Sequence, residues 1–136
     1  MNDKFSLGER GIAVVGAGSG IGEAVARACA RQGARVACLD IKGDAADRVA
    51  ESLLEQHREA YAETLDITDS VATQKALDTA KEKLGRLDHV VCTPAINVRK
   101  PILQYTEEEL DRVVRVNVKG NFNVLQAAGR ILTAQG

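Results

Sequence analysis

The sequence predicts an α/β fold, a partial doubly wound parallel sheet of about four strands with helices on both faces. Three observations predict it. Short apolar runs alternate with helical stretches in the order β-α-β-α-β-α-β-α. Each connection is helical and long enough for a right-handed parallel crossover. A cluster of glycines stands at the first strand-to-helix junction.

Gly11 to Val15 is a short run with β-branched Ile12, Val14 and Val15, a strand pattern. Gly20 to Gln32 reads as a helix with Ile21, Ala24, Val25, Ala28 and Cys29 on its inner face, ended by Gly33. Arg35 to Asp40 is a second strand. Asp44 to His57 is a second helix, with Val49, Leu53 and Leu54 inward. Tyr61 to Leu65 is a weaker strand. Asp69 to Leu84 is a third helix, started by Thr68 or Asp69 and stopped by Gly85. Leu87 to Cys92 is the fourth strand, followed by a loop with Pro94 and Pro101. Thr106 opens the last helix. Its Thr-Glu-Glu-Glu start fits a capping box between Thr106 and Glu109. Leu110, Val113, Val114, Val118, Phe122 and Leu125 then recur as an apolar stripe.

Composition narrows the function. The 136 residues suit one domain, spanning 1–136. Aromatics are 3%, so the core must come from Val, Leu, Ile and Ala. A net charge of −1 offers no basic field for nucleic acid or an anionic membrane. Cys29, Cys38 and Cys92 are widely separated and lack CxxC spacing, so they read as reduced core thiols rather than metal ligands. The N-terminal stretch has no apolar leader segment, and no run approaches the roughly 20 apolar residues of a membrane span. A cytoplasmic location is the default. His57 and His89 have no nucleophile or metal partner at useful spacing and read as structural.

The glycine cluster, Gly16-Ala17-Gly18-Ser19-Gly20-Ile21-Gly22, carries the chemistry. Amides at a helix N-terminus face outward with partial positive charge and bind a pyrophosphate where no Cβ blocks the approach. Glycine gives that clearance and the turn's positive φ values. A plain turn is the competing reading, and the position between strand and helix argues against it. A carboxylate at the end of the second strand, about 20 residues on, can accept from the adenosine ribose hydroxyls and repel a 2′-phosphate. Asp40 stands there, twenty positions after Gly20. NAD is therefore favoured over NADP, with Lys42 close enough to keep NADP open and a solvated strand-end Asp as the plain alternative.

The common Gly-x-Gly-x-x-Gly fingerprint does not fit the cluster. Gly16-x3-Gly20-x-Gly22 resembles the Thr-Gly-x3-Gly-x-Gly signature of the short-chain dehydrogenase/reductase family, with Val15 in place of the leading Thr. The resemblance covers nearly the whole chain and the first half of a family member. It implies a Rossmann-like domain in which Gly16, Gly18, Ser19, Gly20, Ile21 and Gly22 bind the cofactor. It implies that Asp66 and Ile67, closing the third strand, touch the adenine, while Asp69 is a helix cap.

After the fourth strand the family's Asn-Asn-Ala-Gly is replaced by Cys92-Thr93-Pro94-Ala95. Cys92 and Thr93 do not supply two carboxamides, and Pro94 has no amide N–H. The cofactor wall that includes Ala95 must then rest on backbone contacts. Val116-Asn117-Val118 resembles the family context in which an Asn supports a water in the proton relay. A core Asn bonded to a helix carbonyl is the structural alternative. A buried carboxamide without partners would cost on the order of 1–3 kcal/mol.

The family's chemistry uses a Tyr with a Lys four residues on, plus an upstream Ser. Tyr61 is followed at that position by Leu65 and Tyr105 by Glu109. The expectation is an incomplete NAD(P)-binding domain, the cofactor-binding part of an oxidoreductase for an alcohol or ketone, inactive alone. A non-catalytic NAD-binding or interaction protein and an inactive truncated product are the alternatives. The bare edge of the fourth strand and the last helix are expected to associate, as in a homo-oligomer, or to leave Leu103 to Gly136 disordered. The substrate and the reaction direction are not legible.

Overall fold

The computed structural model describes residues 5–136. Residues 1–4, part of the stretch read above for a leader, lie outside the described residues. Four parallel strands, β1 (Gly11–Val15), β2 (Arg35–Asp40), β3 (Ala60–Thr64) and β4 (His89–Cys92), form one sheet in the order β3-β2-β1-β4. The helices are α1 (Gly20–Arg31), α2 (Gly43–Glu55), α3 (Ser70–Leu84), α4 (Glu107–Val114) and α5 (Asn121–Gln135). A 3-10 turn, Ile102–Gln104, precedes α4, and a π-helical segment, Arg115–Gly120, joins α4 to α5. The predicted α/β sheet with helices on both faces is therefore present.

Both faces of the sheet are covered, so the central strands are apolar throughout. Ala13, Val15, Ala37 and Leu39 pack against α3 and α5 through Ala76, Leu77, Val124 and Ala127. Ile12, Val14, Val36 and Cys38 face α1 and α2 through Ala26, Ala30, Val49 and Leu53. The first strands carry the site because reversal of the strand order at β1 leaves a crevice beyond the carboxyl ends of the strands.

Helix ends follow local chemistry. Asp69 Oδ1 accepts from the amides of Val71 (3.0 Å) and Ala72 (2.9 Å), and Gly85 ends α3 in the left-handed region at φ 78°. The capping box of α4 is complete: Thr106 Oγ1 accepts from Glu109 N (3.2 Å) and Glu109 Oε2 from Thr106 N (3.0 Å).

Several faces differ from the sequence expectation. In α1 the buried line is Gly22, Ala26 and Ala30, flanked by Val25 and Cys29, while Ile21 is 76% exposed and Ala24 and Ala28 face outward. Small residues win because α1 packs closely on the sheet. In α2, Leu54 is exposed, and Ala46 and Ala50 join Val49 and Leu53 inside.

The largest difference is in the last helix. Leu110, Val114, Val118, Phe122 and Leu125 are exposed, and the buried face of α5 is Asn123, Val124, Ala127, Ala128 and Ile131. Leu110 and Val114 precede the π segment and are exposed as well, so the stripe faces outward before that segment as after it, and α5 packs through a different face that includes Val124, Ala127 and Ile131. Nor is the segment from Leu103 disordered: α5 docks on α3 and the sheet. Gly120 sits where an added Cβ would lie 2.7 Å from the Ile67 side chain, which sets how closely this segment approaches β3.

Candidate functional site

A cleft of about 380 Å³ opens at the carboxyl ends of β1, β2 and β3. Of the predicted cofactor residues, Gly16, Ser19, Gly20, Ile21, Gly22, Asp40, Asp66, Ile67 and Ala95 line it. Gly18 does not line it and instead lies against Asp40. Thr93, Ile96 and Val116, not among the predicted cofactor residues, also line it.

The glycine turn is shaped by close backbone contact. Gly16 has φ +87°, and a Cβ on Gly22 would fall 1.9 Å from the Gly16 carbonyl oxygen. The turn can hold this geometry only with glycine at both positions. It delivers the start of α1 to the cleft with no side-chain cap. Ser19, at the N-cap, contributes its carbonyl to Glu23 N (3.1 Å) and no hydroxyl contact. The first amides of α1 therefore retain their donor capacity at the positive end of the helix. By contrast, α3 and α4 have theirs occupied by Asp69 and Thr106.

Asp40 closes the other side. Its Oδ2 accepts from Gly18 N (2.8 Å) and its Oδ1 from Lys42 N (2.9 Å). Each carboxylate oxygen has a further lone pair, so the group ties down the turn and still faces the cleft as an acceptor. Asp66 Oδ1 accepts from the amide (2.9 Å) and hydroxyl (2.8 Å) of Thr68, which closes the turn after β3. Ile67 is buried, and its carbonyl accepts from the Asn123 carboxamide at 2.8 Å.

The Cys92-Thr93-Pro94-Ala95 turn is held by side chains as well as by backbone. Thr93 donates to the Val15 carbonyl through both its amide and its hydroxyl, each at 3.0 Å. Asn121 approaches from α5: its Oδ1 accepts from Cys92 Sγ (3.1 Å), and its Nδ2 donates to the carbonyls of Pro94 (3.3 Å) and Asn117 (3.1 Å). Burial pushes the Cys92 thiol up to about 11, which keeps it a proton donor. One carboxamide thus comes from a helix rather than from the strand end. Asn121 lies four residues after Asn117, on the same side of the helix, and that spacing was the available signal.

Asn117 is committed to the loop. Ile96 N donates to its Oδ1 (2.8 Å), and its Nδ2 donates to Ile96 O (2.9 Å). The carboxamide pairs with one residue's backbone as a neighbouring strand would, rather than with a helix carbonyl. It pins the loop after β4 to the π segment, whose i→i+5 bonding sets this part of the helix.

Charged residues bracket the glycine turn on the side of α2. Glu23 accepts from Arg48 (2.8 and 3.2 Å) and from Arg27 (2.9 and 3.0 Å), and these bonds hold its carboxyl at about 2, well below the usual range. Arg48 also donates to the Gly18 carbonyl at 2.9 Å. The Glu23–Arg27 pair was legible as an i,i+4 spacing, whereas Arg48 arrives from another helix. Cys29, Cys38 and Cys92 are free thiols, and among the described residues no group of three metal-binding side chains forms.

Comparison with known proteins agrees with this geometry. The family model "short chain dehydrogenase" matches residues 10–136. The D-threitol dehydrogenase of Mycolicibacterium smegmatis is 32% identical over 97% of this chain and 51% of its own length. The 5-keto-D-gluconate 5-reductase of Escherichia coli is 30% identical over 96% of this chain and 51% of its own. Among solved structures, a short-chain type dehydrogenase/reductase from Mycobacterium marinum superposes with a TM-score of 0.92 at 33% identity, covering 96% of this chain and 53% of the other. A gluconate 5-dehydrogenase from Burkholderia cenocepacia, solved with NADP and tartrate, has a TM-score of 0.89 at 28% identity over 98% and 52%. The chain spans about half the length of the relatives it matches. With the glycine turn, the parallel sheet and the cleft in the family's arrangement, this chain belongs to the short chain dehydrogenase family.

Proposed function

We propose that residues 1–136 are the cofactor-binding portion of an NAD(H)-dependent short-chain oxidoreductase acting on an alcohol or ketone. The observation that carries the reading is one cleft in which the uncapped start of α1 and the Asp40 carboxylate stand together. The amides after Gly20 suit a pyrophosphate, and Asp40 suits the ribose hydroxyls. Asp66 and Ile67 suit the adenine, and Ala95 lines the same cleft. The residues fit the group: the space beside Gly16 and Gly22 is closed to a Cβ, while Gly20 has open space beside it. A nicotinamide dinucleotide, when bound, supplies the hydride acceptor or donor. This chain's residues bind and orient it.

Asp40 supports NAD over NADP, because a carboxylate disfavours a 2′-phosphate. The NADP complex of the gluconate 5-dehydrogenase makes NADP the competing reading. Neither tyrosine of the chain has a lysine four positions on, so turnover of substrate by these residues alone is not expected. The outward apolar residues of α4 and α5 and the free edge of β4 are proposed as association surfaces, as in a homo-oligomer. A cytoplasmic setting suits the free thiols; among the described residues no helix is long and apolar enough to cross a membrane.

Titration calorimetry with NAD⁺ and NADP⁺ tests the reading. NAD⁺ should bind more tightly, and Asp40→Ala should weaken NAD⁺ by about tenfold while leaving NADP⁺ less affected. Failure of the folded chain to bind either nucleotide overturns the proposal. Tighter binding of NADP⁺ overturns its selectivity.

A further inference from the structure

The Glu23–Arg48 pair lies outside the cleft lining, yet it acts on the same peptide that Asp40 holds. Gly18 N donates to Asp40, and Gly18 O accepts from Arg48. A single glycine therefore separates the proposed ribose acceptor from a guanidinium. Arg48 is half exposed, and its Nη1 and Nη2 donate to the two Glu23 carboxylate oxygens in a two-point contact. Hydrogen bonds from Arg48 and Arg27 hold the Glu23 carboxyl well below the usual range, so it keeps its charge into acid. The guanidinium is thus neutralised and fixed in one orientation. An arginine beside the ribose acceptor would otherwise favour a 2′-phosphate, since its planar fork matches phosphate oxygens.

We propose that Glu23 and Arg48 are a selectivity-setting pair: Glu23 commits the Arg48 guanidinium to the Gly18 carbonyl, so that Asp40 alone decides what the ribose end accepts. This rests on the cleft being a dinucleotide site. Glu23 and Arg48 are positioning residues here, acting through Gly18 and Asp40. Removing the Glu23 charge frees a cation next to the ribose end, and NADP⁺ should gain. Removing Arg48 removes the cation that reaches Gly18, and NADP⁺ should not gain. Restoring a carboxylate at position 23 should restore the lock.

The experiment is calorimetric titration of the 136-residue chain with NAD⁺ and with NADP⁺, for the wild type, Glu23→Gln, Glu23→Asp, Arg48→Met and the Glu23→Gln/Arg48→Met double variant. Thermal melts check that each is folded. The NAD⁺-to-NADP⁺ affinity ratio should fall about tenfold in Glu23→Gln, chiefly through tighter NADP⁺. It should return towards wild type in Glu23→Asp and in the double variant. A ratio within about twofold of wild type in folded Glu23→Gln, below the effect one freed arginine should have, overturns the pair's role. So does tighter NADP⁺ binding by Arg48→Met, a result that decides the matter even where Glu23→Gln does not fold. Wild type that binds neither nucleotide overturns the dinucleotide reading together with this inference. NAD⁺ binding with an unmoved ratio overturns the inference alone.

Discussion

Cys92 at the end of β4 donates its thiol proton to Asn121 on α5, at 3.1 Å across 29 residues of chain. The same carboxamide donates to Pro94 O, so one side chain secures both ends of the turn that walls the cleft. Asn121→Val should leave the thiol and the Pro94 carbonyl without these partners, at a cost of about 1–3 kcal/mol. Urea denaturation gives the value. A double-mutant cycle with Cys92→Ala should show a coupling of at least about 0.5 kcal/mol. Strict additivity would mean that the contact carries no energy.

Gly22→Ala places a methyl group 1.9 Å from the Gly16 carbonyl oxygen. Backbone must move to accept it. Destabilisation of about 2–4 kcal/mol is expected, together with loss of nucleotide binding. A variant of wild-type stability would show that the turn is softer than its geometry indicates. Chemical denaturation and calorimetry report the two effects separately.

Asp88 joins the start of β1 to the residues before β4. It accepts from Gly11 N (2.9 Å) and pairs with Arg10 (3.0 Å) and Arg86 (2.6 Å). Burial pushes its carboxyl up, but the Arg86 and Gly11 bonds and the Arg10 pair outweigh this and hold it at about 2. A folded-state value below the unfolded one means that the stabilisation is fully present above the ordinary value of 3.8 and is lost as pH falls through about 2. Because both arginines are half exposed, the contribution is discounted to about 1–2 kcal/mol. Asp88→Asn should cost that much at neutral pH, and the gap to wild type should close as pH falls from about 4 towards 2. A gap that does not change with pH would exclude the ionic contribution.

Asn117→Leu removes both hydrogen bonds to Ile96. Amide hydrogen exchange at Ile96 should accelerate by about tenfold or more, with global stability lower by about 1–3 kcal/mol. Unchanged exchange at Ile96 would show that the loop is held from elsewhere. Asn117→Asp should restore the bond from the Ile96 amide and lose the one to its carbonyl.

Val118, Phe122 and Leu125 are 63%, 56% and 70% exposed along one side of the π segment and α5. Wild-type chain should sediment as an associated species that becomes lighter on dilution. Phe122→Glu with Leu125→Lys should move it to the monomer while leaving its thermal melt within a few degrees, since exposed sites usually contribute about 0.5 kcal/mol or less. A wild-type chain that is monomeric at high concentration would remove this surface from consideration.

Local chemistry wrote most of the fold into the sequence. Unbroken apolar runs at Gly11–Val15 and residues 36–39 mark strands covered on both faces, because a strand with one wet face would alternate. Thr106 with Glu109, Asp69 and Gly85 fixed helix ends through contacts within four residues. That Gly16, Gly20, Gly22 and Asp40 would share one cleft was legible because backbone clearance and strand position set where they stand.

The tertiary structure decided what depends on partners distant in sequence. It turned the Leu110 to Leu125 stripe outward, because α5 docks on α3 and the sheet through Val124, Ala127, Ala128 and Ile131 instead. It put Asn121 beside Cys92 and Arg48 beside Gly18, contacts spanning 29 and 30 residues. A sequence read by period and spacing specifies which residues share a face of one element. Which side chain of another element meets that face follows only when the helices dock on the sheet, because docking is set by side-chain volume and approach distance.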